Sequence, residues 1–349
     1  MDKFAQRAAW LFVALMLALA ACSPASPAAG NPPGATAAAG GTGATGKWCS
    51  NVKIVFLPGG TQAGAGMLDL YNGAIQAAAD LGAQVRFVWS DSDPQKMTQQ
   101  FSEAVGTQPD GIAVAGLPGD DVFDPLISDA EAKGILVTSL NVDLPNMDTR
   151  FASGGFGYVG AIYYQSGFAL GAEAVKRFSL QTGDRALVWG QLSVPDRGLR
   201  SQGVIDALKQ AGLEVDSLEI DPAILADPSQ GTAPFTAYVA SHPDVKLVVT
   251  DDGGLTAAAA IYLKAAGKNP GEIKFAGFDL SAASEEAIRQ GWLNLVSDQQ
   301  EWLQGYLPVL QLCLSKVYGF SGLKIDTGAG FVDAGNIDIV AALTARNIR

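Results

Sequence analysis

The strongest constraint in this sequence is a strand-then-helix rhythm that repeats along most of its length. Val52–Leu57 is a short apolar run stopped by Pro58-Gly59-Gly60. Met67–Leu81 then carries helical spacing and stops at Gly82. Val85–Trp89, Gly111–Ala115 and Ile135–Leu140 read as strands, with Lys96–Val105 and Pro125–Lys133 as the helices between them. Such strand–helix–strand units with short connections build a parallel sheet. The rhythm restarts with a helix over Ala161–Phe178. Strands follow at Ala186–Trp189, Glu214–Ile220, Leu247–Thr250, Ile273–Phe278 and Leu293–Ser297. Helices separate them at Leu199–Gln210, Pro234–Ser241, Leu255–Ala266 and Ala282–Gln290, and Leu303–Tyr318 closes the series. The fold class expected is α/β, with two doubly wound, Rossmann-like lobes of ordinary domain size.

The chain has 349 residues, 48% of them hydrophobic and 17% charged, which supplies ample core for two lobes. Its formal net charge of −12 excludes nucleic acid as a natural partner and argues against a basic membrane-surface patch. The opening residues read as a targeting segment. Lys3 and Arg7 precede an apolar run from Ala8 to Ala21, which is shorter than the roughly 20 residues a bilayer span needs. Residues 1–21 are therefore expected to be a signal peptide. Leu19-Ala20-Ala21-Cys22 resembles a bacterial lipobox, which makes Cys22 the expected lipidation site. Residues 22–47 then read as the lipidated Cys and an Ala/Gly/Pro tether. Export places Cys49 and Cys313 in an oxidising compartment, as a disulfide or as two separate buried thiols. His242, the one histidine, lies in a Ser-His-Pro-Asp turn signal, which removes His-dependent triads.

In doubly wound sheets, ligands bind outside the carboxyl ends of the strands. Those ends here carry Gly60 and Gln62, Gly116, Asn141, Gln191, Asp251-Asp252, Asp279 and Asp298-Gln299-Gln300. Carboxylates and side-chain amides in such numbers suit a ligand made of hydroxyls better than a phosphate. The bland reading of Asp252 and Asp279 is helix capping, since each precedes a helical segment.

Several stretches resemble ribose-type periplasmic binding proteins, the type I sugar-receptor family. Asp93–Gln100 with Pro109-Asp110-Gly111-Ile112 looks like that family's second helix and third strand. Arg200-Ser201-Gln202-Gly203-Val204 is similar to its R-x-x-G-F helix start. His242-Pro243-Asp244-Val245 leading to Asp251-Asp252, and Phe275-Ala276-Gly277-Phe278-Asp279, resemble two of its strand ends. The likeness runs from about Val52 onward. It implies two lobes joined by a three-segment hinge that close over a sugar or polyol and deliver it to an ABC transporter permease. By that resemblance Asp279 and Asp252 accept from sugar hydroxyls, Arg200 donates to an oxygen, and Gln299 is a hinge-side amide. Asn141 and Val142 stand where ribose receptors have Asp and Arg, which puts ribose in doubt. The first loop, with Met67, lacks the family's stacking aromatics, and Trp89, Trp189, Phe278 and Trp302 are the alternatives.

The expected lobes are residues 48–158 plus 300–327 and residues 159–299 plus 328–349. Cys49 and Cys313 then share a lobe. Enzyme readings are weaker. Gly155, Gly157 and Gly160 match G-x-G-x-x-G, but only a weak strand, Asp148–Ser153, precedes them, and no acid ends the next strand. Asp91, Asp93, Asp120 and Asp121 are conceivable metal ligands but read better as solvated loop carboxylates. No cofactor is expected, and the protein is expected to be a monomer, extracytoplasmic and membrane-bound through its lipid alone. The alternatives kept open are a receptor for a nucleoside or furanosyl signalling molecule, and an exported carbohydrate-active enzyme.

Overall fold

The computed structural model describes residues 46–62, 66–117, 119–194 and 197–349. The signal peptide, Cys22 and nearly all of the tether lie outside the described residues. The chain runs β1 (Lys53–Leu57), α1 (Met67–Leu81), β2 (Gln84–Phe87), α2 (Pro94–Gly106), β3 (Gly111–Ala115), α3 (Asp120–Ala132), β4 (Leu136–Leu140), α4 (Pro145–Phe151) and β5 (Gly157–Gly160). It continues with α5 (Tyr163–Phe178), β6 (Arg185–Gly190), α6 (Gly198–Gln210), β7 (Glu214–Glu219), α7 (Pro222–Ala226), α8 (Thr232–Ser241) and β8 (Val245–Thr250). Then follow α9 (Gly253–Ala257), α10 (Ala259–Ala265), β9 (Lys274–Phe278), α11 (Ala282–Arg289) and β10 (Leu295–Asp298). The last elements are α12 (Glu301–Tyr318), β11 (Lys324–Asp326), β12 (Gly330–Val332) and α13 (Ile337–Thr344).

These elements form two α/β lobes. One sheet has the order β11-β5-β4-β3-β1-β2, the other β12-β10-β9-β8-β6-β7. Every pairing is parallel except β12 on β10, an antiparallel edge. Strands covered on both faces carry near-continuous apolar runs. Gly-Ile-Ala-Val-Ala of β3 is buried at every position. In the second lobe the pleat sorts residues to opposite faces. Leu187, Trp189, Val248 and Phe275 join one apolar cluster, while Val188, Leu247, Val249 and Ala276 join the other.

In each lobe a helix pair crosses at reciprocal glycines. A Cβ at Gly73 of α1 would lie 2.0 Å from the Trp302 carbonyl oxygen, and one at Gly305 of α12 would lie 1.8 Å from that of Leu70. In the second lobe the same device joins α5 to α6. A Cβ at Gly167 would lie 1.9 Å from the Arg200 oxygen, and one at Gly203 would lie 2.2 Å from the Tyr164 oxygen. Backbone touches backbone at both crossings, so no side chain fits between.

Cys49 and Cys313 form a disulfide spanning 264 residues, with their Cα atoms 5.8 Å apart. It ties the segment before β1 to α12, and both half-cystines are fully buried.

Three expectations change. Asp148–Ser153 is not a strand: α4 and a 3-10 turn over Ala152–Gly154 occupy it. The strand is Gly157–Gly160, inside the glycine motif itself, so that motif is not a phosphate-binding turn before a helix. The edge strands β11 and β12 and helix α13 also appear where no element was expected. His242 lies in the expected turn, whose Val245 N–H donates to the His242 oxygen at 3.1 Å; it is the half-buried C-cap of α8, with its ring stacked on Tyr238 at 4.3 Å.

Two outcomes follow. Reduction, or the paired Cys49→Ser and Cys313→Ser change, should remove about 2–4 kcal/mol, seen as a lower melting temperature. Gly305→Ala and Gly167→Ala should each destabilise by roughly 1–3 kcal/mol, because either methyl group forces a helix pair apart. An unchanged urea midpoint in both glycine variants would remove the crossing from the account.

Candidate functional site

The carboxyl ends of β8, β9 and β10 carry three of the expected site residues, Asp252, Asp279 and Gln299. Asp279 follows β9 directly and stands in the left-handed region, with φ 70°. Asn141 after β4 (φ 61°) and Gln300 after β10 (φ 56°) share that conformation. Non-glycine residues held there are strained, and such strain gathers at functional positions. Asp279 does not cap the helix after it: Ser281 does, in a capping box with Ser284. Its Oδ1 instead accepts from Gln299 Nε2, and its backbone N–H donates to the Ser297 oxygen at 3.0 Å.

Asp252 does cap. Its Oδ1 accepts from the N–H groups of Gly254 (2.9 Å) and Leu255 (3.2 Å), opening α9. Its carboxyl is raised above the usual range, chiefly by burial and in part by Asp279 nearby. A Cβ on Gly253 would lie 2.8 Å from Asp279 Oδ2, so glycine is what lets these two acids share one rim.

Arg200 is buried, with its guanidinium 4.2 Å over the Phe278 ring and 5.5 Å from that of Tyr163. One terminal nitrogen donates to the Asp251 carbonyl oxygen, while Nε is buried without a partner. Burial and the neighbouring Arg197 charge lower its pKa, against the pull of Asp279 and Asp251.

The hub beneath this rim is Asp251, which is fully buried. It was passed over in favour of its neighbour. Its Oδ2 accepts from Gln191 N–H (3.1 Å), from Arg197 (3.1 Å) and from the Ser201 hydroxyl. Arg197 also reaches the Asp251 carbonyl oxygen at 2.6 Å. Gln191 thus serves the site here through its backbone. Tyr163 is the other residue missed, placed under both Arg197 (5.6 Å) and Arg200. Neither shows in the sequence, because both depend on which loop folds back on which strand end.

The first lobe supplies the facing wall. Asn141 Nδ2 donates to Gln304 Oε1 at 3.2 Å, and Gln304 Nε2 donates to the Gln299 carbonyl oxygen at 3.0 Å. Asn141 and Gln299 are therefore one link apart. Glu301, half-buried at the start of α12, packs on Gly66, where a Cβ would lie 3.2 Å from Glu301 Cγ. Its carboxyl is held well above the usual range, first by burial, then by Asp279, Asp298 and Asp69. Glu301 thus feels acids from both lobes.

The remaining expected residues all belong to the first lobe. Met67 packs on the first-lobe core and against Gly60. Gln62 is exposed. Gly116 is a packing position, where a Cβ would lie 2.1 Å from the Val142 oxygen. Among the stacking alternatives, Trp189 is buried in the core beside Phe235 and Tyr262, and Phe278 lies under Arg200. Trp89 and Trp302 are half-buried, packed on Phe87 and Tyr306 respectively. Of the loop acids, Asp93 caps α2, Asp91 pairs with Lys96, and Asp120 accepts from the N–H groups of Asn146 and Met147.

The chain crosses between the sheets at 161–162, 299–300 and 327–329, and the site lies beside those crossings. Two parallel-sheet lobes, three crossings and a polar rim between strand ends define a two-lobed binding protein. Residues 54–314 match the periplasmic binding protein domain family, and the chain belongs to it. It is 29% identical over 263 residues to the xylose/arabinose-binding protein XylF of Sulfolobus acidocaldarius, covering 70% of this chain and 62% of that relative. It is 26% identical to a carbohydrate transporter from Acidothermus cellulolyticus solved with myo-inositol, at a TM-score of 0.69, covering 85% of this chain and 99% of that one. A periplasmic ribose ABC transporter structure from Conexibacter woesei shares the fold, with a TM-score of 0.73 and 20% identity over 87% of this chain and 99% of that one.

Two tests bear on the wiring. Asp251→Ala leaves Arg197 without its carboxylate and should cost about 3–5 kcal/mol in a urea melt. Glu301 carries a folded pKa above its unfolded value, so the folded state holds the proton more tightly. Stability is then lost as pH rises from the ordinary carboxylate range through the raised folded value. Glu301→Gln should melt higher than the parent at pH 7, with the difference vanishing in acid. A variant that melts lower at pH 7 would refute the burial argument.

Proposed function

We propose that this protein captures a small sugar or polyol between its lobes and delivers it to an ABC transporter permease. The observation that carries this reading is the rim of Asp279, Gln299, Arg200 and Asp252, beside strained strand ends. Two carboxylates accept hydroxyl protons, and an arginine and an amide complete the ring of donors and acceptors. Charge-assisted bonds of this kind contribute about 1.5–3 kcal/mol each. A few of them, with water excluded on closure, reach the roughly −8 kcal/mol of micromolar binding. The pentose-binding relative and the inositol-bound structure support the ligand class.

The hinge in this reading is the set of crossings at 161–162, 299–300 and 327–329. Closure is favoured because the ligand touches both lobes. The protein acts as a receptor and not as an enzyme, works as a monomer outside the cytoplasm, and is held to the membrane by lipid on Cys22 after removal of residues 1–21. Among the described residues no helix is long and apolar enough to cross a membrane, which is consistent with a lipid as the attachment.

A thermal-shift panel of pentoses, hexoses, polyols and nucleosides on residues 46–349 tests the reading. One sugar or polyol should raise the melting temperature in proportion to RT ln(1 + [L]/Kd). Asp279→Ala should weaken that ligand roughly 10- to 100-fold. A response to nucleosides alone would overturn the ligand class, and consumption of a sugar would overturn the receptor.

A further inference from the structure

The face of the first lobe where the chain arrives at Gly46 carries an aromatic patch that the binding function does not use. Trp48, Tyr318 and Phe320 are 39%, 57% and 59% exposed. Trp48 stacks on Tyr318 at 5.3 Å, and Tyr318 meets Phe320 at 6.1 Å. Val317 and Leu323 extend the apolar surface. A hollow of about 260 Å³, lined by Leu314, Ser315, Phe320 and Leu323 among others, opens beside Phe320. The rings alone expose roughly 300 Å², the size of the largest apolar patch on a typical soluble monomer, which is often functional.

The patch is held in shape. Trp48 adjoins Cys49, whose disulfide to Cys313 pins it to the helix that ends at Tyr318. The turn bearing Phe320 is pressed onto the lobe at Gly322: its N–H donates to the Ala152 oxygen at 2.7 Å, and a Cβ there would lie 1.4 Å from the Phe156 oxygen. Glu301 and Tyr318 mark opposite ends of the 18-residue α12, roughly 27 Å apart. The patch therefore faces away from the ligand rim.

We propose that this patch seats the anchored receptor on the phospholipid bilayer, resting on the lobe end while the cleft stays in solvent. The proposal rests on the reading of Cys22 as a lipid anchor. Cys22 lies 24 residues before Gly46, across a stretch made almost wholly of Ala, Gly, Pro, Ser and Thr. The patch sits at the very end of that leash, so even weak partitioning acts at a high effective concentration. Tryptophan and tyrosine favour the headgroup layer, where the ring is apolar and its polar edge is wet. The net charge of −12 removes electrostatic attraction to anionic lipid, leaving aromatic partitioning as the contact.

The full chain, processed in a bacterial host and reconstituted into phosphatidylcholine vesicles, tests this. Vesicles with brominated acyl chains should quench part of the tryptophan emission relative to ordinary vesicles. The quenching should disappear in Trp48→Phe and weaken in a Tyr318→Ser, Phe320→Ser variant that keeps Trp48. Flotation with the vesicles should be lost in Cys22→Ser. Flotation without quenching would overturn the seating and leave the anchor standing. Trp48 shielded only as protein concentration rises would assign the patch to a second copy and overturn the proposal. Failure of the parent chain to float would overturn both.

Discussion

Everything in this molecule depends on how three chain crossings are laced to one another. Asp326, at the end of β11, accepts from Gly328 N–H at 2.8 Å and from Ile162 N–H at 3.3 Å. One carboxylate so joins the first crossing to the third. Gln300 donates from Nε2 to the Thr327 carbonyl oxygen at 2.8 Å, and Gln304 donates to the Thr327 hydroxyl at 3.1 Å, which joins the second to the third. Tyr158 adds a hydroxyl bond to the Ala161 oxygen at 2.8 Å. These bonds replace the ladder that each sheet has lost at its edge. They satisfy backbone groups at the crossings with side chains from the ends of the flanking elements. In the proposed receptor, these crossings would be where the joint bends.

The lobes are built in the opposite sense. The reciprocal glycine crossings of α1 on α12 and of α5 on α6 bring backbone against backbone, the stiffest contact two helices can make. These pairs include the helices that carry Glu301, Tyr163 and Arg200. Rigid bodies on a bendable joint are what hinge closure requires. Arg349 belongs to this joint as well: its guanidinium sits 3.2 Å from the buried Asp298 and 3.1 Å from Gln300 Oε1.

What the sequence revealed follows from how locally each feature is specified. Met67–Leu81 and Gly111–Ala115 were legible to the residue, since apolar period and a closing glycine or a fully apolar run define them. Gly157–Gly160 was not, because its glycines are demanded by neighbours and not by turns. A Cβ at Gly157 would lie 1.7 Å from Gln311 Nε2, and one at Gly160 would lie 2.3 Å from the Tyr158 hydroxyl. The three-residue strands β11 and β12 exist only because β5 and β10 offer free edges. Within the site, Asp279 and Gln299 could be named from their places at strand ends. The division of labour between Asp251 and Asp252 could not. Adjacent side chains after a strand diverge, and the one turned inward is chosen by Arg197 and Ser201, which arrive from another helix.

On the proposed function, the same polar atoms that suit a ligand would also oppose closure without one. Arg200 Nε, Gln299 Oε1 and Asp69 Oδ1 are buried with no protein partner. Each such group costs about 1–3 kcal/mol when removed from water unsatisfied. In the proposed receptor, two or three of them, with Glu301 facing Asp279 and Asp69, would tilt an empty cleft toward opening by several kcal/mol. A shift from one part in a hundred closed to one part in a hundred open takes about 5.5 kcal/mol, which is the same scale. A ligand bearing hydroxyls answers the unpaired arginine nitrogen with an oxygen and the amide and carboxylate oxygens with protons. It thereby removes the penalty at the moment it binds. On the proposed function, discrimination between loaded and empty forms would need no separate sensor, since the unpaired atoms of Arg200 and Gln299 would serve both recognition and opening.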